Sequence, residues 1–344
     1  MTRAFRILMS ASVAVAPHVA AAQSEDADSA PPRIDYADTL AVAEQPARAR
    51  SIAYDAVPLD NDLAERPVRV VATGSQGFGP FKGGKLLLTN GISSLEGGSG
   101  GGIARWATIG GLQTDRGIGA TGHLTAIELP DFGWRSYGVA VGIGDRVELS
   151  YARHNFNTRD AGAALGLGEG YTFKQDVYGA KLRLFGNAVY GDPMLPQVAL
   201  GVEHKRNLNG PVVALLGAAD DEGTDFTLSA TKLLLEHSVL VNATARYTQA
   251  NQLGLLGFGK AGGDGYKLQF EGSLAYQLSR RAVVGAEYRS KPDNLGLGED
   301  DWFDLFAAYA LTDNFTLSAA YTDLGSIATF EDQRGGFVQA QIAF

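Results

Sequence analysis

The sequence predicts an all-β protein, a transmembrane antiparallel up-and-down β-barrel, and three features carry that prediction. Apolar and polar residues alternate at period two over long segments of about ten residues or more. A tilted membrane-spanning strand takes about nine to eleven residues, whereas strands of soluble proteins average about five or six. The connections alternate between tight turns and long loops, as on the two rims of a membrane barrel. Aromatic residues (Tyr151, Tyr247, Tyr276, Tyr288, Tyr309, Tyr321) fall near strand ends, where an interfacial girdle belongs.

The N-terminus reads as an export signal. Arg3 and Arg6 precede a short apolar run, Ile7 to Ala16, and Ala20-Ala21-Ala22 offers the small residues that signal peptidase requires. Residues 1–22 are therefore expected to be a signal peptide, cut after Ala22. The run is shorter than the roughly 20 apolar residues of a membrane-spanning helix. Residues 23–84 begin rich in Ala, Asp, Glu and Pro without a strong period, and are expected to form a flexible periplasmic segment. The barrel is expected over residues 85–344. A formal charge of −9 argues against nucleic acid as a partner. The lack of cysteine excludes disulfides and thiolate metal sites.

Within the barrel region the alternation is explicit. Tyr178, Ala180, Leu182 and Leu184 alternate with Gly179, Lys181 and Arg183; Leu268, Phe270, Leu274 and Tyr276 alternate with Lys267, Gln269, Glu271 and Ser273. Such sets fall on opposite faces of a strand. Reading back from Phe344 gives strands at 136–143, 146–156, 172–185, 197–207, 225–235, 239–250, 266–278, 282–290, 302–312, 315–324 and 336–344. Ahead of them, 103–113 and 117–128 read as a hairpin about Asp115-Arg116, and 86–95 as one more strand. The favoured total is 14 strands, and 12 is the alternative if that first pair does not both lie in the wall. The count must be even to return both ends to the periplasm, and a closed sheet leaves no unpaired edge in lipid. Tight turns fall at Gly144-Asp145, Glu236-His237, Arg280-Arg281 and Asp313-Asn314; long connections run through 157–170, 209–224, 251–265 and 292–301. The ending GGFVQAQIAF sets Val338, Ala340, Ile342 and Phe344 on one face, as in the terminal strand that barrel-assembly machinery reads.

Several stretches carry a family likeness: GVAVGIGDRVELSYAR (Gly138–Arg153), GTDFTLSATK (Gly223–Lys232), NQLGLLGFG (Asn251–Gly259), EYRSKPDNLGLGEDDWFD (Glu287–Asp304) and DQRGGF (Asp332–Phe337). They resemble an uncharacterised proteobacterial family of outer-membrane, barrel-like proteins, domain of unknown function 3034. The resemblance runs from about Lys85 to Phe344. It implies an exported barrel and transfers no catalytic or binding residue.

Two sets of residues are candidates for function. The first is the predicted lumen lining, which carries both signs: Arg146, Glu148, Lys181, Arg183, Glu203, Lys205, Arg246, Lys267, Glu271, Glu287 and Arg289. Opposite charges on neighbouring strands stabilise one another. The second is a recurrent Leu-Gly pattern in the long loops: Leu165, Leu167, Leu215, Leu253, Leu255, Leu256, Leu295 and Leu297. Leucines left in water cost about 25 cal/mol per Å² of apolar surface. Either the loops fold inward as a cap, or each pair ends a strand and packs locally. The acidic clusters Asp220-Asp221-Glu222 and Glu299-Asp300-Asp301 hold oxygen ligands that Ca²⁺ prefers but lack the spacing of a calcium loop, so no metal and no cofactor are expected.

The function expected is a passive channel for small or partly apolar solutes, with loops folded over the extracellular mouth. The alternative is a closed structural or surface-binding barrel. An outer-membrane lipid hydrolase is a minor alternative, because His123, His154, His204 and His237 show no triad spacing, and no catalytic residue is assigned. The expected location is the outer membrane of a Gram-negative bacterium. The expected partners are outer-membrane lipid, lipopolysaccharide and the assembly machinery.

Overall fold

In the computed structural model, the described residues are 84–344 apart from 264, together with Gly79 and Pro80. The expected signal peptide and nearly all of the segment 23–84 lie outside them. The wall is a closed antiparallel barrel of 12 strands. They are β1 (Gly117–Glu128), β2 (Gly133–Ile143), β3 (Val147–Asn157), β4 (Thr172–Phe185), β5 (Gln197–Asn207) and β6 (Glu222–Leu234). The second half comprises β7 (Val239–Thr248), β8 (Lys267–Ser279), β9 (Ala282–Arg289), β10 (Trp302–Ala310), β11 (Phe315–Asp323) and β12 (Arg334–Ala343). Each strand pairs with the next, and β12 closes on β1 with Gln339 opposite Thr125.

The period-two pattern is what gives the wall its two faces. Leu124, Val139, Leu149, Leu200, Leu228, Leu274, Leu305, Leu317 and Val338 point outward and are exposed, while Thr125, Ser136, Glu148, Thr227, Ser273, Asp304, Ser318 and Gln339 point inward and are buried. An outer surface of this kind suits hydrocarbon and not water. No helix among the described residues is long and apolar enough to cross a membrane. The tight turn between β2 and β3 places Gly144 and Asp145 at φ of 57° and 46°. Left-handed values at both central residues match the twist of the flanking strands.

The structure corrects the strand count from fourteen to its twelve-strand alternative. Residues 117–128 form β1 as expected, but 86–95 and 103–113 are not in the wall. They belong to one irregular segment, residues 84–113, that occupies the lumen. Every residue from Thr89 to Gly111 is buried. A wall strand must alternate between lipid and lumen, and unbroken burial on all sides is incompatible with that. Polar residues on both parities of 86–95 (Thr89 and Ser93, Asn90 and Ser94) are the reason: neither face suits lipid. The only pairing inside the described part of the segment is a two-residue hairpin, Ile92–Ser93 with Ser99–Gly100, apart from isolated bridges.

Candidate functional site: a lumen filled by the chain itself

A segment with almost no strand pairing must find other partners for its backbone, because a buried N–H or C=O left unpaired is costly. Turns within the segment meet part of the need, as from the Ser94 N–H to the Gly98 carbonyl (2.8 Å), Leu95 to Gly102 (3.0 Å) and Gly101 to Ala104 (2.9 Å), and the inward side chains of the wall meet many of the other groups. Glu148 accepts from the Gly110 N–H (2.7 Å) and the Ser99 N–H (3.2 Å). Glu287 accepts from the Ile103 N–H (2.9 Å) and Glu271 from the Arg105 N–H (2.7 Å). Lys181 donates to the carbonyls of Ser99 and Thr108, both at 2.8 Å. Asn242, Thr244, Gln197 and Gln339 hold further carbonyls, at Arg105, Ala107 and Ser93.

Two side chains of the segment enter charged niches of opposite sign. Glu96 lies among Arg246 (3.0 Å), Arg289 (2.9 Å) and Lys205 (2.5 Å). Arg105 pairs with Glu203 and lies 3.8 Å from Glu148. Arg246 further binds Asp225 (3.0 Å) and Glu271 (2.5 Å), which ties β6, β7 and β8 together. The carboxylates of Glu96, Glu203 and Asp225 are close enough to hold a cation, but Lys205 and Arg246 already lie among them as countercharge. At Gly101 a Cβ would meet the Glu287 carboxylate, the movable end of a side chain, whereas at Gly91 (φ 75°) it would meet the Gly100 carbonyl oxygen, which the backbone fixes.

Apolar layers bracket this charged middle. Near the tight turns, Trp106 packs with Val189, Leu233, Leu240 and Phe306, and its indole N–H donates to Ser273 (2.8 Å). Near the long loops, Leu95 and Ile103 of the segment join Trp134, Phe156, Phe173, Trp302 and Phe337 of the wall. Leu253, Leu255 and Leu256 descend into that cluster from the β7–β8 loop. Gln252 and Leu253 take φ of 45° and 62° there, a conformation costly for non-glycine residues. Wall side chains hold it in place, with Gln175 donating to the Leu253 carbonyl (2.9 Å) and Asn207 to those of Gly254 (2.9 Å) and Leu255 (2.8 Å). Leu165, Leu167, Leu295 and Leu297 are half-buried against the same cluster.

Of the residues expected to line the lumen, Glu148, Lys181, Glu203, Lys205, Arg246, Glu271, Glu287 and Arg289 are buried together around the segment. Arg183 is half-buried at the turn-side rim against Asp145 (2.6 Å), and Lys267 is half-buried at the start of β8. Arg146 is a correction: it is exposed in the β2–β3 turn, which ends the wall before its side chain reaches the lumen. Leu215 is another, 85% exposed. It ends the short helix Gly210–Leu215, whose inward residues are Val213 and the following Leu216; at 100° per residue Leu215 falls between them and outward. The acidic clusters do not converge: Glu299 binds Lys291 (3.0 Å), Asp301 accepts from Tyr288, and Asp220 caps its own turn. Sequence reasoning missed Glu96 and Arg105, which it placed in or between wall strands. It also missed Asp225 and Asp304, whose inward parity beside Thr227 and Phe306 was available as a signal.

The wall, the internal segment and the inturned loops define the class: a self-plugged β-barrel. The sequence matches the family described as Protein of unknown function (DUF3034) over residues 89–341, and the chain belongs to that family. No curated protein matches it. Among solved structures it is similar to the KdgM porin, at 10% identity and TM-score 0.43, covering 65% of this chain and 99% of that one. It is also similar to the outer membrane phospholipase A from Escherichia coli, at 11% identity and TM-score 0.37, covering 65% and 92%. The NanC porin matches at 9% identity and TM-score 0.38, covering 66% and 98%. The architecture rests on the strand pairing of this chain and not on these likenesses.

Two consequences are measurable. Arg105→Ala takes the plug's cation from Glu203 and Glu148, which keep Arg246 (2.5 Å) and Lys181 (3.3 Å), so it should cost roughly 1–3 kcal/mol and not the about 3–5 kcal/mol of a buried charge left wholly unpaired. Urea unfolding in detergent, followed by the fluorescence of the buried Trp106, Trp134 and Trp302, should register it, while the exposed Leu215→Ala stays within about 0.5 kcal/mol of the parent. In the β9–β10 loop, burial pushes the Lys291 ammonium down and the Glu299 carboxyl up, against their mutual attraction. Glu299→Leu alone should therefore destabilise the loop by roughly 3–5 kcal/mol, and Lys291→Met with Glu299→Leu should restore the parent stability or exceed it. Hydrogen exchange of residues 291–301 reads both variants.

Proposed function

We propose that this protein stands in the outer membrane of a Gram-negative envelope as a barrel closed at rest by its own residues 84–113, and not as a constitutively open channel. The observation that carries the reading is the unbroken burial from Thr89 to Gly111 inside the wall. The inturned leucines of the loops support it from the other end. Location in an outer membrane is supported by the closed sheet with its apolar exterior, since a barrel is the form in which strands satisfy their backbone in lipid. A catalytic role has little support. His123 reaches a hydroxyl, Ser136, at 3.5 Å, but both are buried and Ser136 bonds the Leu95 carbonyl (2.9 Å).

One observation favours a second reading, a gated channel. The plug is held in the middle of the lumen by ion pairs and hydrogen bonds, groups that water can replace, and the wall behind it is polar. Single-channel recording in planar bilayers separates the two. The full chain should be silent at neutral pH. Gly91→Val, which sets a side chain against the Gly100 carbonyl at a left-handed φ of 75° and so breaks the plug's hairpin, should give conductance steps if the plug alone seals the barrel. Steps in the unmodified chain would overturn closure at rest; silence in both would leave the loop lid as a sufficient seal and remove the gated reading.

A further inference from the structure

The outer face of the wall carries charge at one place that the plug does not explain. Arg135 on β2, Arg153 on β3, Lys174 on β4 and Arg206 on β5 all point outward near the loop-side ends of four consecutive strands. Their inward neighbours, Ser136, His154, Gln175, Lys205 and Asn207, are buried in the lumen. Register brings the cations into a compact patch: Arg135 is opposite Asn155, which is opposite Lys174, and Arg153 is opposite Asp176, which is opposite Arg206.

Their depth is set by what lies beneath. Tyr137, Tyr151 and Tyr178 point outward one step or two closer to the barrel middle, with Tyr151 and Tyr178 in ring contact at 5.3 Å. Such aromatics mark the boundary between hydrocarbon and headgroups, so the cations stand at headgroup level. A cation on a barrel's outer face costs about 2–4 kcal/mol at the bilayer midplane and about 0–1 near the interface.

The acids nearby offset part of the patch, since Asp176 and Glu222 are the cross-strand neighbours of Arg206, and leave Lys174 without one. Glu128 is shared by Arg135 and Arg159, and Asp176 is held by Arg153. Glu222, the cross-strand neighbour of Arg206, has its carboxylate 3.9 Å from His204 and stays an acid at the edge of the patch. Neither the Lys174 ammonium nor the Arg206 guanidinium makes an ion pair among the described residues. On the far wall the corresponding outward positions are Phe270, Tyr288, Phe303 and Tyr321, and Arg334 there is met by Asp323 (2.8 Å) and Asp332 (3.2 Å). The unpaired positive charge is thus one-sided.

We propose that this face of β2–β5 binds the phosphate groups of an anionic lipid in the loop-side leaflet, with Lys174 and Arg206 as the principal ligands and Arg135 and Arg153 flanking them. Guanidinium and ammonium groups both bind phosphate, the former by a two-pronged contact. Acyl chains of the same lipid would lie on the apolar wall below the tyrosines. The inference rests on the outer-membrane reading above.

Native mass spectrometry of the full chain in neutral detergent tests it, with diphosphoryl lipid A and the same lipid dephosphorylated as probes. The parent should prefer the phosphorylated lipid at least tenfold. Lys174→Gln with Arg206→Gln should lose that preference, each single variant should lose part of it, and Lys174→Arg with Arg206→Lys should keep most of it. Arg281→Gln, at the opposite rim beside Asp313, should leave it unchanged. Resistance to unfolding in dodecyl sulfate without heating confirms that each variant is a folded barrel. Equal binding of both lipids, undiminished preference in the double variant, or displacement by millimolar inorganic phosphate alone would overturn the proposal. Failure of the parent to insert into lipid vesicles would instead overturn the outer-membrane reading, so the two failures are distinguishable.

Discussion

The structure turns on one constraint: an irregular stretch of backbone is buried inside a barrel and has almost no ladder of its own. A strand in the wall satisfies its N–H and C=O groups by pairing, whatever its side chains are. Residues 84–113 have only turns and a two-residue hairpin, so for the groups these leave over the wall must offer acceptors where N–H groups point and donors where carbonyls point. Glu148, Glu271 and Glu287 meet the first need, and Lys181, Asn242, Thr244 and Gln339 the second. The inward charges are better understood as a receptor for this peptide than as the lining of an aqueous path.

The same charges fix the register of the plug. Glu96 faces three cations and Arg105 faces carboxylates. Sliding the segment would bring each toward charge of its own sign or leave it unpaired, and a buried unpaired charge is far more costly than a lost apolar contact. Net stability is a separate matter, because burying ion pairs costs desolvation that their attraction repays only with good geometry and further hydrogen bonds. What the network supplies is one position for the plug. The apolar layers on either side, around Trp106 and around Leu95, provide area burial without direction.

The wall was legible in the sequence because its signal is local. Leu268 through Tyr276 announce a strand by themselves, and β2 to β12 begin and end within a few residues of where alternation places them. The plug was not legible, because nothing local separates a strand buried on one face from a segment buried on all. Residues 86–95 and 103–113 are long enough and apolar enough to pass for wall, and only the polar residues on both parities argue otherwise. The inward charges on the wall could be read from parity, but their partners Glu96 and Arg105 could not, since those contacts join residues about a hundred or more positions apart. Leu215 shows a similar limit at smaller scale. The Leu-Gly pattern names the loops that turn inward, but a single turn of helix decides which residue of the loop arrives.

The two seals differ in chemistry, and that difference constrains any motion of the barrel. The mid-lumen seal is polar and directional, so it can be weakened by exchanging each contact for water, and its loss leaves a wall that water wets. The loop-side seal is an apolar cluster in which Trp134, Trp302 and the descending leucines exclude water, and opening it exposes that surface without compensation. Leu95 and Ile103 of the plug are part of the second seal, while Glu96 and Arg105 belong to the first. The two are therefore mechanically joined. A plug that leaves its charged niches also withdraws its leucine and isoleucine from the loop-side cluster, so its directional and apolar contacts are lost together, while Trp134, Trp302 and the descending leucines stay with the wall and the loop.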